Sequence, residues 1–174
     1  KITGNRTEKG SGGAIYVSTN CTFKMTGGSI TGNRVTGAGG GVYVLRATGT
    51  FSGGSISGNY AEGAGGGGIY VNGATCYLYG VSITNNEAKA TGGGINSARS
   101  TVKKNGVAVD YSPNIYMAGA YIANNKAKTG GGMVVSGNGG KLNMSSGTIT
   151  GNESTGSCGG LYVSAKITMK ITGG

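Results

Sequence analysis

The amino-acid sequence predicts an all-β fold: a right-handed parallel β-helix, or β-solenoid, of about six coils of ~27 residues, with one inserted loop in the fourth coil. Three observations predict it. A glycine run followed by a short β-rich segment recurs as GGAIYV from Gly12, GGGVYV from Gly39, GGGIYV from Gly66, GGGINS from Gly92, GGMVVS from Gly131 and GGLYVS from Gly159. Alternating with it is a strand that ends in an Asn turn: ITGN from Ile2, SITGN from Ser29, SISGN from Ser55, SITNN from Ser82, YIANN from Tyr121 and TITGN from Thr148. Within each unit apolar residues alternate with polar ones, the period of a strand.

The two markers keep the same beat. The first apolar residue after each glycine run is Ile15, Val42, Ile69, Ile95, Met133 and Leu161, and the closing Asn is Asn5, Asn33, Asn59, Asn86, Asn125 and Asn152. Both series step by about one period except between the fourth and fifth members, where about twelve extra residues enter. The insertion is placed at residues 98–114, and the whole of 1–174 is expected to form one domain.

Three inward columns follow. The first begins with Ile15/Val17, Val42/Val44 and Ile69/Val71, with Tyr16, Tyr43 and Tyr70 pointing outward between them. The second is Met25, Phe51, Leu78, Met117, Met144 and Ile171, and the third is Ile2, Ile30, Ile56, Ile83, Ile122 and Ile149. Three columns imply three short strands per coil and a triangular cross-section. A helical repeat is excluded, because runs of up to four glycines would cost about 1 kcal/mol per Gly in a helix. The glycines and the Asn columns instead suit corners that need φ > 0, and stacked Asn amides can bond along the axis.

These units resemble the right-handed β-helix repeats of large bacterial surface proteins, above all the polymorphic outer-membrane, autotransporter-type adhesins with their GGA[ILV] and FxxN motifs. Here GGAI stands once, at Gly12 to Ile15; FxxN is absent, and ITGN-type turns take the comparable place. The resemblance covers almost the whole chain and implies an exported cell-surface, adhesive protein. The broader superfold also includes pectate lyases and polygalacturonase-like hydrolases, so a glycan-binding or glycan-cleaving β-helix is the alternative function.

Composition narrows the chemistry. There is no His and no Trp, and the acids are Glu8, Glu62, Glu87, Asp110 and Glu153. Four of them fall in the turn after the Asn, and no carboxylate pair is expected on a strand face for glycoside hydrolysis, nor an acidic cluster for calcium. No catalytic residue, metal ligand or cofactor is assigned, and the chain is expected not to be an enzyme. Cys21, Cys76 and Cys158 sit two or more coils apart, beyond disulfide reach, and are expected to be buried small apolar residues.

The net charge is +10. It suits an acidic glycan or a host or cell-surface ligand, while only Lys103-Lys104 are adjacent cations and no aromatic-basic platform favours nucleic acid. Candidate binding residues are therefore Arg99, Lys103, Lys104, Asp110 and Tyr111 of the insertion, because loops on a regular scaffold commonly carry recognition. Tyr16, Tyr43 and Tyr70 join them as an outward column suited to stacking on sugars; ordinary strand-to-strand stabilisation explains the same column.

No run of ~20 apolar residues exists to span a membrane as a helix. The chain begins without Met, and any export signal or anchor is expected outside it. The end, KITGG from Lys170, followed by the start, KITGN from Lys1, reproduces the KMTGGSITGN pattern from Lys24. This allows either a longer rod or head-to-tail self-association into a filament. The expected place is extracellular, on a bacterial surface.

Overall fold

A computed structural model of the chain describes residues 1–173. Four six-stranded parallel sheets wrap one rod, and a two-stranded antiparallel hairpin stands apart from them. Each coil contributes one short strand to each sheet. Sheet A begins with Ile2–Thr3 and ends with Gly147–Thr150; sheet B runs from Arg6–Thr7 to Glu153–Ser157. Sheet C runs from Ile15–Val17 to Leu161–Val163, and sheet D from Thr22–Met25 to Thr168–Ile171.

The three expected columns are the register of three sheets. Ile30 pairs with Ile56 in sheet A, Val42 with Ile69 in sheet C, and Phe51 with Leu78 in sheet D. Their side chains merge into one core, in which Phe51, Ile56, Ile69, Ile83, Met133 and their neighbours are shielded from water. Sheet D adds an inward column of its own, including Cys76, Ile115 and Leu142.

The cross-section is not triangular. Sheet B is a fourth side, whose inward residues Val35, Ala61, Ala88 and Ala127 form a separate small cluster. They must be small because the glycine run of the preceding coil packs against the backbone of their strands. A Cβ on Gly67 would overlap the carbonyl oxygens of Glu87 and Gly93, so this face has no room for a second layer of large side chains. Gly66, one residue earlier, takes φ +65°, which an L side chain resists.

The closing asparagines do not themselves occupy the left-handed corner. That conformation belongs to the residue before each: Gly4, Gly32, Gly58, Asn85, Asn124 and Gly151. The turn thereby aims the following Asn inward, where the amides form a continuous ladder. Asn33 Nδ2 donates to Asn59 Oδ1 at 2.9 Å, Asn59 to Asn86 at 2.9 Å, Asn86 to Asn125 at 3.0 Å and Asn125 to Asn152 at 2.9 Å. Each amide oxygen also accepts the backbone N–H of the preceding Asn, and each NH₂ donates to an Ile carbonyl of the preceding coil, as Asn86 does to Ile56 at 2.9 Å. Among the described residues no buried side-chain polar atom lacks a partner.

The cysteines differ among themselves. Only Cys76 is buried; Cys21 and Cys158 are exposed, contrary to the expectation that all three are core residues, and none is in a disulfide. Burial pushes the Cys76 thiol up to about 12, while a backbone hydrogen bond with Gly49 opposes the shift.

Replacing Asn86 by Ala removes two donated bonds and strands the Asn59 amide groups in the interior. The expected loss is about 3–5 kcal/mol in denaturant unfolding, against roughly 1 kcal/mol for Asn5→Ala on the exposed first coil. For Cys76, a thiol reagent at pH 8 is expected to modify two cysteines in the folded chain and the third only on unfolding. The raised thiol binds its proton more tightly folded than unfolded, so its contribution is intact below its ordinary value of 9.0 and declines as pH rises toward about 12.

Candidate functional site in the inserted hairpin

The insertion is a built element rather than an irregular loop. Strands Ser100–Lys104 and Val107–Tyr111 pair antiparallel, with Thr101 opposite Asp110 and Val102 opposite Val109. Between them Asn105 and Gly106 both take positive φ, 49° and 79°, the signature of a two-residue hairpin turn whose twist matches its strands. The Asn-Gly pair was the available sequence signal for this hairpin.

The hairpin leaves the rod at the corner between sheets C and D. Its base is fitted to that corner. At Gly73, φ is +57° and a Cβ would lie 2.6 Å from Ser100 Cβ and 2.8 Å from Tyr111 Cβ, so only glycine lets the hairpin sit there. In the preceding coil the equivalent corner residue is Arg46, whose φ of 45° is costly for a residue with a long side chain. Its Nη1 donates to Ser100 Oγ at 3.0 Å, its Nε to Thr19 Oγ1 at 3.2 Å, and its guanidinium lies 5.9 Å from the Tyr111 ring centre. Arg46 was not singled out by sequence, because nothing local marks it as the residue beneath a hairpin.

The five candidates of the insertion divide into two groups. Arg99 Nη1 and Asp110 Oδ2 form an exposed ion pair at 2.6 Å, and Thr101 Oγ1 donates to Asp110 Oδ1 at 2.6 Å. Arg99 and Asp110 therefore brace one face of the hairpin. Lys104 Nζ approaches the Tyr111 ring from 5.9 Å, while Lys103 and Lys104 are both exposed beside the turn. Val107, also exposed at 66%, gives the tip an apolar component.

The tyrosine column is ordered but largely covered. Tyr16, Tyr43 and Tyr70 stack with ring centres 5.0 and 5.2 Å apart and nearly parallel planes. Only Tyr16, 49% exposed, keeps an open ring; Tyr43 and Tyr70 are buried against Ala38 and the flanking Leu45 and Ala98. Burial raises both phenols above their ordinary value, and Asn72 Nδ2 donates to Tyr43 Oη at 2.6 Å. This corrects the expectation of an open sugar-stacking column: two of its three rings pack within the chain.

The carboxylates also need correction. Glu87 and Glu153 lie on strands of sheet B rather than in turns, with Lys126 between them in the register. Lys126 Nζ is 2.9 Å from Glu153 Oε1, and Glu153 first and Glu87 second hold its ammonium above the ordinary value. Arg34 bonds Glu62 and lies 4.3 Å from the Tyr60 ring centre, and Arg6 is 3.6 Å from Glu8. The strands of this sheet thus carry five cations, Arg6, Arg34, Lys89, Lys126 and Lys128, and two carboxylates, Glu87 and Glu153, while Glu8 and Glu62 directly follow two of the strands. A cavity of about 260 Å³ opens at the first coil, where the apolar Ile2, Ile15, Phe23, Met25 and Ile30 meet Lys1, Lys24 and Ser29 at its rim.

A family model described as the right-handed β-helix region matches residues 1–173, and the chain belongs to that family. No curated protein and no solved structure matches the chain.

Arg46→Gly replaces a strained side chain with the residue its φ favours, and changes global stability by no more than about 1 kcal/mol. It also removes the Ser100 bond and the Tyr111 contact, so tryptic cleavage after Lys103 or Lys104 in the native chain is expected to rise about threefold or more. Unchanged cleavage would show that Arg46 does not secure the hairpin.

Proposed function

We propose that this chain is a non-catalytic extracellular rod, a surface stalk or head-to-tail filament of adhesive type, with the hairpin as its recognition element. The observation that carries this reading is the contrast between a uniform scaffold and one projection. Six coils share one parallel pairing, and the hairpin is the antiparallel two-stranded projection among the described residues, holding Lys103 and Lys104 beside its turn. Binding elements are commonly carried on such excursions from a rigid support.

The scaffold suits a spacer. Every coil adds by parallel pairing in register and by one more Asn–Asn bond. A further coil, from the same polypeptide or from a second copy, lengthens the rod without a new type of contact. Among the described residues no helix is long and apolar enough to cross a membrane. The basic surface favours an anionic partner on a cell or in its matrix.

A polysaccharide lyase-like or hydrolase-like reading requires carboxylates or a base placed on a substrate face. The carboxylates described above lie beside cations, and their paired geometry supports charge balance along sheet B better than acid–base work.

The test combines assembly, adhesion and turnover. Negative-stain electron microscopy of the purified chain is expected to show uniform rods or fibres. Lys103→Glu with Lys104→Glu is expected to lower retention on carboxylated beads about fivefold or more at physiological salt, with unchanged unfolding. Incubation with acidic polysaccharides is expected to release neither reducing ends nor unsaturated products; their appearance overturns the non-catalytic reading.

A further inference from the structure

Sheet D carries a surface that the tyrosine column of sheet C does not provide. Along its outward side the register aligns Lys24, Thr50, Tyr77, Tyr116, Asn143 and Lys170, one residue per coil. At about 4.8 Å per coil this row extends about 24 Å along the rod. A lysine stands at each end and a tyrosine pair in the middle. The Tyr77 and Tyr116 ring centres are 5.0 Å apart with planes 18° from parallel, and Tyr79, 41% exposed, lies 5.7 Å from Tyr77. Both lysines are exposed, and the four residues between them are half-buried.

Charge separates this row from the other faces. Sheet B carries Glu87 and Glu153 on its strands, with Glu8 and Glu62 directly after two others, whereas the six strands of sheet D contain no carboxylate. The neighbouring outward row, Thr22, Thr48, Thr75, Asn114, Lys141 and Thr168, adds a third cation and otherwise neutral hydroxyl and amide groups. We propose that the outward face of sheet D binds an extended polysaccharide bearing carboxylates, lying parallel to the rod axis across Lys24, Tyr77, Tyr116 and Lys170.

The chemistry of the row matches that ligand group by group. Tyrosine rings offer flat apolar surface to the C–H faces of sugar rings and a hydroxyl at their edge. Thr50 and Asn143 supply donors and acceptors for sugar hydroxyls. Lys24 and Lys170 place positive charge where a charged chain of about 24 Å would run past them, with no carboxylate on the sheet to compete. The two terminal cations and the rings between them lie on one straight line, the course of an extended chain along the rod. An extended chain meets both. This inference rests on the adhesive reading in taking the bound chain to be held rather than cleaved, but it uses residues remote in sequence from the hairpin.

The test is calorimetric titration of the full chain with a linear oligouronide long enough to span the row, its methyl-esterified form serving as the uncharged control. Expected are binding of the acid form, at least about tenfold weaker binding of the ester, and a loss of about tenfold or more in each of two variants. One is Lys24→Glu with Lys170→Glu, at exposed positions that leave the core untouched; the other is Tyr77→Ser with Tyr116→Ser, checked for unchanged far-ultraviolet dichroism. Lys89→Glu with Lys128→Glu, an equal change of charge at exposed positions of sheet B, is expected to bind like the parent, and the hairpin variant Lys103→Glu with Lys104→Glu is titrated beside it. Equal affinity of the parent and the lysine variant, equal affinity for acid and ester, or no binding at all overturns the proposal. Loss of binding in the hairpin variant alone places the ligand at the hairpin, which overturns the sheet D site and leaves the adhesive reading standing. Cleavage of an oligouronide whose affinity still depends on Lys24 and Lys170 sinks the non-catalytic reading while upholding the site.

Discussion

The structure depends on hydrogen bonds that run along the rod. In a globular sheet a strand is held by neighbours on its own layer; here every strand is held by the coils before and after it. The ladder concentrates that dependence at one corner, where each side chain from Asn33 to Asn152 bonds an amide, a backbone N–H and an Ile carbonyl across neighbouring coils. These groups are buried over most of the length, so each is satisfied only if the next coil stands in register. A one-residue slip would break the ladder and turn the Ile30, Ile56 and Ile83 column outward at once.

That constraint explains where the chain has latitude and where it has none. Between Asn86 and Asn125 the sequence is about twelve residues longer than in other coils, yet the two amides remain 3.0 Å apart. The extra residues form a hairpin at the corner between sheets C and D, and both flanking strands keep their pairing. Added chain at a surface corner costs little loop entropy. The same length within a strand would destroy the register. The hairpin then needs its own fastening, which the bare Cα of Gly73 and Arg46 provide from the two preceding coils.

Repetition also sorts the outward residues into faces of different chemistry. Sheet B presents interleaved cations and carboxylates, sheet C a covered tyrosine stack, and sheet D a neutral and basic row with half-open tyrosines. A ball-shaped domain mixes such groups; a solenoid keeps each in a line, because one position per coil projects each time from the same side. The outcome is a rod whose sides differ in charge and in exposed ring surface, and therefore in the partners they suit.

The sequence by itself determined the fold class, the period and the membership of three inward columns, because large apolar residues recurring at one spacing admit one register. It did not show sheet B as a side of the rod. Val35, Ala61, Ala88 and Ala127 are too small to announce a core, and their size is imposed by a glycine run that folds against them. Nor did it show that Tyr43 and Tyr70 are covered, that Cys21 and Cys158 are exposed, or that Glu87 and Glu153 flank Lys126. Alternation tells inward from outward; it does not tell which outward side chains a neighbouring turn then covers. Burial of an outward group, and the meeting of Arg46 with a hairpin more than fifty residues later, are decided by how coils and corners pack in three dimensions.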